Sequence, residues 1–256
     1  MKISEICSTS DIDFSFPGGV SFFEPFLKYF TREILEIGGG AYISRSNEEA
    51  VSGLLLYDGT EKAASIYTSS REVFDYFYWL KPFNYLFSEM KTELENEVYD
   101  IYSIDFEKLA FDHRFTHEIS MAESSQAEEI ERFMILTHPR INRKWVKVAL
   151  KNGDKCFMVK LGSEIAGLGW VSLVNGIGRL HSLYVKPQFR KLCIGDDILG
   201  ARLLWLKSKH ARSVFSEISR SNFSCSRIAA KEHMKVSGQI YQYFKKPVFA
   251  MKETKN

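Results

Sequence analysis

Long apolar runs are missing from this 256-residue chain. No stretch reaches the roughly 18 consecutive apolar residues of a membrane-crossing helix, so neither such a helix nor a membrane partner is expected. Cysteine is scarce, and Cys7, Cys156, Cys193 and Cys225 show no paired metal-ligand spacing. Free thiols in a reducing cytoplasm, with no bound metal, are the expectation. The first residues, Met1-Lys2-Ile3-Ser4-Glu5, bring in acid early and lack the apolar core of a secretion signal. Glycine is absent between Gly59 and Gly153, so that stretch has no flexible loop to bring bare backbone close to a ligand. What is present suits a soluble globular protein: 45% hydrophobic and 26% charged residues, with Phe 20, Tyr 12 and Trp 4. That aromatic content excludes a disordered or collagen-like chain.

Charge is divided unevenly along the chain. The net formal charge is +2, yet residues 1–110 carry 9 lysines and arginines against 19 acids, and residues 111–256 carry 25 against 13. Two units, 1–110 and 111–256, are expected to do different work. A basic half suits an anionic partner such as a phosphorylated cofactor, nucleic acid or membrane surface. The alternative is an acidic face and a basic face docked on each other.

The halves also resemble each other. Tyr42-Ile43-Ser44 through Gly53-Leu54-Leu55-Leu56 reads as strand, polar turn, strand, and so does Phe157-Met158-Val159 through Gly167-Leu168-Gly169-Trp170. Gly53 aligns with Gly167, and Glu49-Ala50-Val51 falls near Glu164-Ile165-Ala166. Tyr85-Leu86-Phe87-Ser88-Glu89-Met90 matches Ser213-Val214-Phe215-Ser216-Glu217-Ile218, each after a strand and a helix. Two matches in one order point to a tandem repeat.

In the second half, Thr116 to Met121 reads as a strand, and Gln126 to Leu136 as a helix with Ser125 as its cap. Arg143 to Leu150 reads as a helix closed by Asn152-Gly153. Lys155 to Leu161 and Glu164 to Val174 form a hairpin, and Asn175-Gly176 turns into the strand Arg179 to Val185. The helix Ile194 to His210 carries Ile194, Ile198, Ala201 and Trp205 on one face. A strand Ser213 to Ile218, a helix Asn222 to His233 and a strand Lys235 to Phe249 follow. Alternating strands and helices imply an α/β sheet with parallel segments. Trp170, Trp205 and the Phe22-Phe23-x-x-Phe26 cluster read as core.

One loop differs between the halves. Val185 is followed by Lys186-Pro187-Gln188-Phe189-Arg190-Lys191-Leu192-Cys193-Ile194-Gly195-Asp196, which opens a helix whose N-terminal amides suit an anion. In the first half Thr68-Ser69-Ser70-Arg71 runs straight into its helix. The segment Val185-x-Pro187-x-x-Arg190-x-x-Cys193-Ile194-Gly195 resembles the central motif of the GNAT acetyltransferase superfamily, V-x-P-x-x-R-x-x-G-x-G/A. The resemblance extends from Thr116 to Phe249 and includes Asn222.

It implies a mixed sheet of the acyl-CoA N-acyltransferase type in 111–256. Residues 1–110 would then be a smaller α+β unit resembling a degenerate copy. It further implies acetyl-CoA as cosubstrate. Arg190, Lys191, Cys193, Ile194, Gly195 and Asp196 would surround the pyrophosphate. Leu183, Tyr184 and Val185 would pair with the pantetheine arm, with the Leu183 N–H polarising the thioester carbonyl. Asn222 would hydrogen-bond that arm, with Ser226 one turn beyond. Lys207, Lys209, His210 and Arg212 follow the long helix, either at the 3′-phosphate or as a solvated helix end. Three departures stand out. Cys193 replaces glycine, which strains the backbone only if φ is positive there. Ala229 replaces a tyrosine that protonates the departing thiolate, and His233-Met234 replaces Gly-Phe.

Acetyl transfer to an amine needs a proton acceptor. Glu217, His181 or a water chain can serve, and Tyr241 can stand in for the missing acid. His138 and Arg140, in the connection between the first two helices, are candidate acceptor contacts. Neither Cys193 nor Cys225 has a base beside it in sequence, so direct attack in a ternary complex is favoured over an acyl-cysteine. The expectation is an N-acetyltransferase acting on a small-molecule amine, an amino acid or a peptide N-terminus. The alternative is a non-catalytic acyl-CoA-binding regulatory module. Nucleic-acid binding lacks a reading module. The acidic half can wall the acceptor cleft or support a homodimer.

Overall fold

The computed structural model describes residues 2–10, 23–46, 50–106 and 113–244. Phe22, Glu49, the boundary expected at 110 and residues 245–249 lie outside them. The first unit contains β1 (Lys2–Ile6), α1 (Glu24–Glu36), β2 (Gly40–Arg45), β3 (Val51–Asp58), β4 (Ala63–Tyr67), α2 (Arg71–Leu80), β5 (Tyr85–Ser88) and β6 (Asn96–Asp105). The second contains β7 (Ser120–Met121), α3 (Ala127–Thr137), α4 (Lys144–Lys151), β8 (Lys155–Leu161), β9 (Glu164–Val174), β10 (Ile177–Val185), α5 (Ile194–Ser208), β11 (Ser213–Ser219), α6 (Phe223–Lys231) and β12 (Lys235–Phe244).

All twelve strands join one sheet, in the order β1-β2-β3-β4-β5-β12-β6-β11-β10-β9-β8-β7. Its registers fit a repeat-like arrangement. β4 pairs in parallel with β5, Ala63 opposite Tyr85, and β10 pairs in parallel with β11, Ile177 opposite Ser213. The aligned glycines have one shared reason. A β-carbon on Gly53 would fall 2.5 Å from Val73 Cγ1 of α2, and one on Gly167 would fall 2.9 Å from Ile194 Cγ2 of α5. Each glycine lets its unit's helix lie close on the sheet.

The middle of the sheet is an exchange. β12, from the second unit, lies between β5 and β6 of the first, and β6 lies between β12 and β11 of the second. β6 pairs antiparallel with both β11 and β12. Each unit therefore fills a gap in the other, and ladder hydrogen bonds of the central strands cross from one to the other.

Covering layers follow from the apolar patterns. Ile194, Ile198, Leu203 and Leu206 of α5 bury one face of β8 to β11. Ile130, Phe133 and Met134 of α3, with Val146 and Ala149 of α4, bury the other around Trp170. The strand β9, covered on both faces, is buried from Ile165 to Ser172, as a continuous apolar run requires. The turn into β10 has positive φ at Asn175 (52°) and Gly176 (77°), the pattern of a two-residue primed turn.

Two local expectations change. The cap before α3 is not Ser125: Glu123 and Gln126 form a reciprocal capping box around a short 3₁₀ turn. The strand expected from Thr116 shrinks to Ser120–Met121, because the backbone N–H groups of Thr116 and His117 donate to the Asp197 carboxylate instead (3.2 and 3.0 Å).

Candidate active site

The loop after β10 enters α5 through two residues in the left-handed region, Lys191 (φ 67°) and Cys193 (φ 62°). The position at 193 thus does require positive φ, and cysteine is strained there. A β-carbon in this region costs about 1–2 kcal/mol, while glycine's extra freedom in the unfolded chain costs about 0.5–1 kcal/mol. Cys193→Gly is therefore expected to stabilise the fold by about 0.5–1 kcal/mol. A rise in thermal midpoint without loss of CoA binding checks this, and an unchanged or lower midpoint refutes it.

In α5 the ladder begins with Asp197 N donating to Cys193 O (3.0 Å). Among the described residues, none accepts from the N–H groups of Ile194, Gly195 or Asp196. These are the unpaired donors that every helix start leaves, and they favour an anion. Asp197 itself is turned inward. Despite burial, which opposes ionisation, donation from His117, His113 and the backbone of Thr116 and His117 holds its carboxyl below the usual range. Asp196 lies toward solvent, paired with Lys231 at 2.7 Å. Arg190 Nε donates to Val185 O (3.2 Å), and its guanidinium lies over the Tyr184 ring. The equivalent helix start in the first unit is closed by its own side chains: Ser70 Oγ accepts from Val73 N, and Thr68 Oγ1 accepts from Ser70 N.

β10 and β11 stay paired only from Ile177 to Arg179. Beyond that, β10 carries a bulge between His181 and Tyr184, with Ser182 at φ 51°. The strands part and leave a slot of about 300 Å³. Carbonyls near this parting find side-chain donors, as buried acceptors must. Ser216 Oγ donates to Leu180 O (2.9 Å), and buried Arg202 donates to Trp170 O (3.0 Å) and His181 O (3.4 Å). Burial pulls the Arg202 guanidinium down to about 10. Leu183, Asn222 and Cys225 also line the slot. Asn222 caps α6, its Oδ1 accepting from Cys225 N, which leaves its amide NH₂ as the group able to donate.

The slot opens into a second cavity of about 420 Å³ between the units. Tyr99, His138, His181, Ser182 and Glu217 line both. Arg179 Nε donates to both Glu217 oxygens (3.0 and 3.3 Å). His181 is held by Ser172 Oγ at Nε2 (3.2 Å) and Ser182 Oγ at Nδ1 (3.3 Å), with Asp154 Oδ2 3.8 Å from Nε2. Burial keeps its imidazole below the ordinary histidine value, against the pull of Asp154.

The residues named from sequence separate into groups. Leu183, Asn222, His181, Glu217 and His138 meet at the slot and cavity. Arg190, Lys191, Cys193, Ile194, Gly195 and Asp196 form the loop at its end, with Val185 at the exit of β10. Tyr184 turns to the opposite face, against Phe133. Ser226 only back-bonds to Asn222 O (3.3 Å). Arg140 is exposed and lines neither space. Tyr241 is not at the site. Its neighbour Ile240 lines the cavity, so alternation turns Tyr241 to the other face, where its hydroxyl donates to Gln239 Oε1 (3.2 Å). Moreover β6, not β12, neighbours β11, which brings Tyr99 of the first unit to the slot instead. Tyr29, Glu33, Asp58 and Glu61 carry no sequence signal, since they come from the half without a motif, and Tyr99 lies on a strand ahead of the motif-bearing segment. No group of three or more potential metal ligands occurs among the described residues.

A sequence model described as the Acetyltransferase (GNAT) family matches residues 96–230. No curated protein matches the chain. Among solved structures, a tandem GNAT protein from the clavulanic acid biosynthesis pathway is similar at a TM-score of 0.61 and 11% identity, over 96% of this chain and 99% of that one. An acetyltransferase from the GNAT family of Colwellia psychrerythraea gives 0.60 and 12%, over 96% and 100%. A GCN5-related N-acetyltransferase from Sphaerobacter thermophilus gives 0.59 and 10%, over 81% of each chain. The exchanged twelve-stranded sheet, the bulged and parted strands, and a family match reaching from β6 through α6 converge on one assignment: this chain belongs to the GNAT acetyltransferase family.

Proposed function

We propose that the second unit transfers an acetyl group from acetyl-CoA to a primary amine by direct attack in a ternary complex. The observation that carries this reading is adjacency: Ile228, which lines the slot, lies 3.1 Å from where a β-carbon on Gly195 would stand, beside the uncapped amides, and Tyr99, His138, His181, Ser182 and Glu217 line both the slot and the cavity. The pyrophosphate binds the amides, with Arg190 and Lys191 beside it. The pantetheine arm follows β10, and the Leu183 N–H polarises the thioester carbonyl. Asn222 donates to the arm.

The amine attacks the carbonyl carbon, a C–N bond forms, and the C–S bond breaks. His181, kept neutral by burial, takes the proton from nitrogen, directly or through one water. Glu217 is committed to Arg179 and acts on local charge rather than as the base. Tyr99 supplies the proton to the departing thiolate in place of the tyrosine that Ala229 replaces. Burial, then Glu97, raises its phenol to about 12, so it is protonated at neutral pH. Family membership supports acyl transfer in general, and the acetyl donor and amine acceptor are this reading's own content.

Thiol release from acetyl-CoA is expected with at least one member of an amine panel. Stabilisation by CoA without turnover on any amine would select a regulatory acyl-CoA-binding module. Neither binding nor turnover would overturn the reading.

A further inference from the structure

We propose that the acceptor cavity takes a diamine: one nitrogen reacts beside His181 while a second, still protonated ammonium group is held by Glu33 and Asp154. This rests on the acyl-transfer reading above and adds to it the acceptor's chemical class.

Charge is the first observation. Beside the Arg179–Glu217 pair, the cavity is lined by Glu33, Asp58, Glu61 and Asp154. Among the described lining residues the one lysine or arginine is Arg179, which is already committed to Glu217 and lies over the Phe30 ring (4.8 Å). An acceptor bearing an α-carboxylate would meet repulsion without a spare cation. A second ammonium group would meet the reverse.

The second observation is independent of that count. Among the described residues, Glu33 Oε1 is buried and has no hydrogen-bond partner. Such an atom is costly in a native fold and calls for a donor that the described residues do not supply to it. Asp154 lies near it, with Oδ1 accepting from the Tyr29 hydroxyl (2.7 Å). Trp145, whose ring packs on Trp170 and His181, completes the wall. Carboxylates backed by aromatic faces are suitable surroundings for an ammonium group.

Protonation agrees with this. Burial, then repulsion from Asp154, raises the Glu33 carboxyl to about 8, with Arg179 and the Trp145 N–H pulling the other way and Glu36 of the same helix adding to the rise. At neutral pH the empty cavity stores a proton there, and an arriving ammonium group displaces it. Because this pKa is raised, the folding penalty of Glu33 is present above about 8 and absent below the ordinary 4.5. Glu33→Gln is therefore expected to fold, with a melting temperature that gains on the native protein as pH rises.

The test compares putrescine with n-butylamine, which has the same carbon chain and one amine fewer. Putrescine is expected to have a kcat/KM higher by about 10-fold or more, and Glu33→Gln to lower putrescine by about 10-fold more than n-butylamine, which removes that advantage. Equal rates for the two amines, a preference for amino acids, or an equal loss on both amines in the variant would overturn the proposal. Should no amine turn over, acyl transfer fails as the reading, and calorimetric binding of the two amines to the CoA complex still decides this point. Tighter putrescine binding that Glu33→Gln removes upholds it, and equal binding refutes it. If Glu33→Gln does not fold, calorimetric binding of the two amines to Asp154→Asn provides the comparison, since binding is read apart from the proton transfer in which Asp154 bears on His181.

Discussion

Replacing His181 with alanine is expected to lower kcat/KM for the acceptor by roughly 100- to 10,000-fold, the usual contribution of a positioned general base. An ammonium ion has no lone pair for attack, so its proton must leave first. His181 lines both the slot and the acceptor cavity, and hydroxyls contact both of its ring nitrogens. Burial, opposed by Asp154, sets its imidazole below the ordinary 6.5, so the neutral base prevails at pH 7. The kcat/KM profile should show an acidic limb below that value, and the limb should vanish in the variant. Stabilisation by CoA should persist, because the loop proposed to bind the pyrophosphate is untouched. Retention of activity within about 3-fold would assign proton removal to water alone. Linkage gives a second readout. A histidine with a depressed folded pKa takes up its proton on unfolding, so stability falls as pH drops below the unfolded value near 6.5. His181→Gln should flatten that fall.

The other large effect is expected at the helix entry. Gly195→Asp puts a carboxylate beside the unpaired amides proposed to bind the diphosphate, and should weaken CoA binding by about 100-fold, or about 2.7 kcal/mol. Gly195→Ala is the control. Its β-carbon would lie 3.1 Å from Ile228 Cδ1, the mobile end of a side chain, and 3.8 Å from Val185 Cγ2. Alanine also favours the helix, so binding within about 3-fold of native is expected. Calorimetry with CoA measures both. If the aspartate variant binds as the native protein does, the diphosphate lies elsewhere and the proposed function falls with it. If alanine weakens binding as much as aspartate does, bulk rather than charge is responsible.

Much of the second unit was legible in the sequence because its signals are local. The hairpin at 155–174, the Asn175-Gly176 turn, the start of α5 at Ile194 and a helix beginning near Asn222 each follow from a residue's own backbone preference or from short-range periodicity. The repeat was legible for the same reason: one pattern of strand, turn and helix occurs twice. At Cys193 the sequence poses a condition, strain if φ is positive there, and the backbone meets it with φ 62°.

Strand partnership and the acceptor cavity were not legible. The sequence of β12 says that it is a strand, but not that β6 separates it from β11, so nothing local shows that Tyr99 rather than Tyr241 lines the slot. Likewise α1 reads as an apolar helix, and nothing local in it marks Glu33 and Tyr29 as facing residues more than a hundred positions away. Composition, motif and periodicity by themselves determined the elements, the repeat-like pattern and the turn that opens α5, because those depend on interactions within a few residues. Which half lends a strand to the other, and which acids surround the acceptor, were decided only by tertiary packing, because pairing energy depends on partners that no short window of sequence contains.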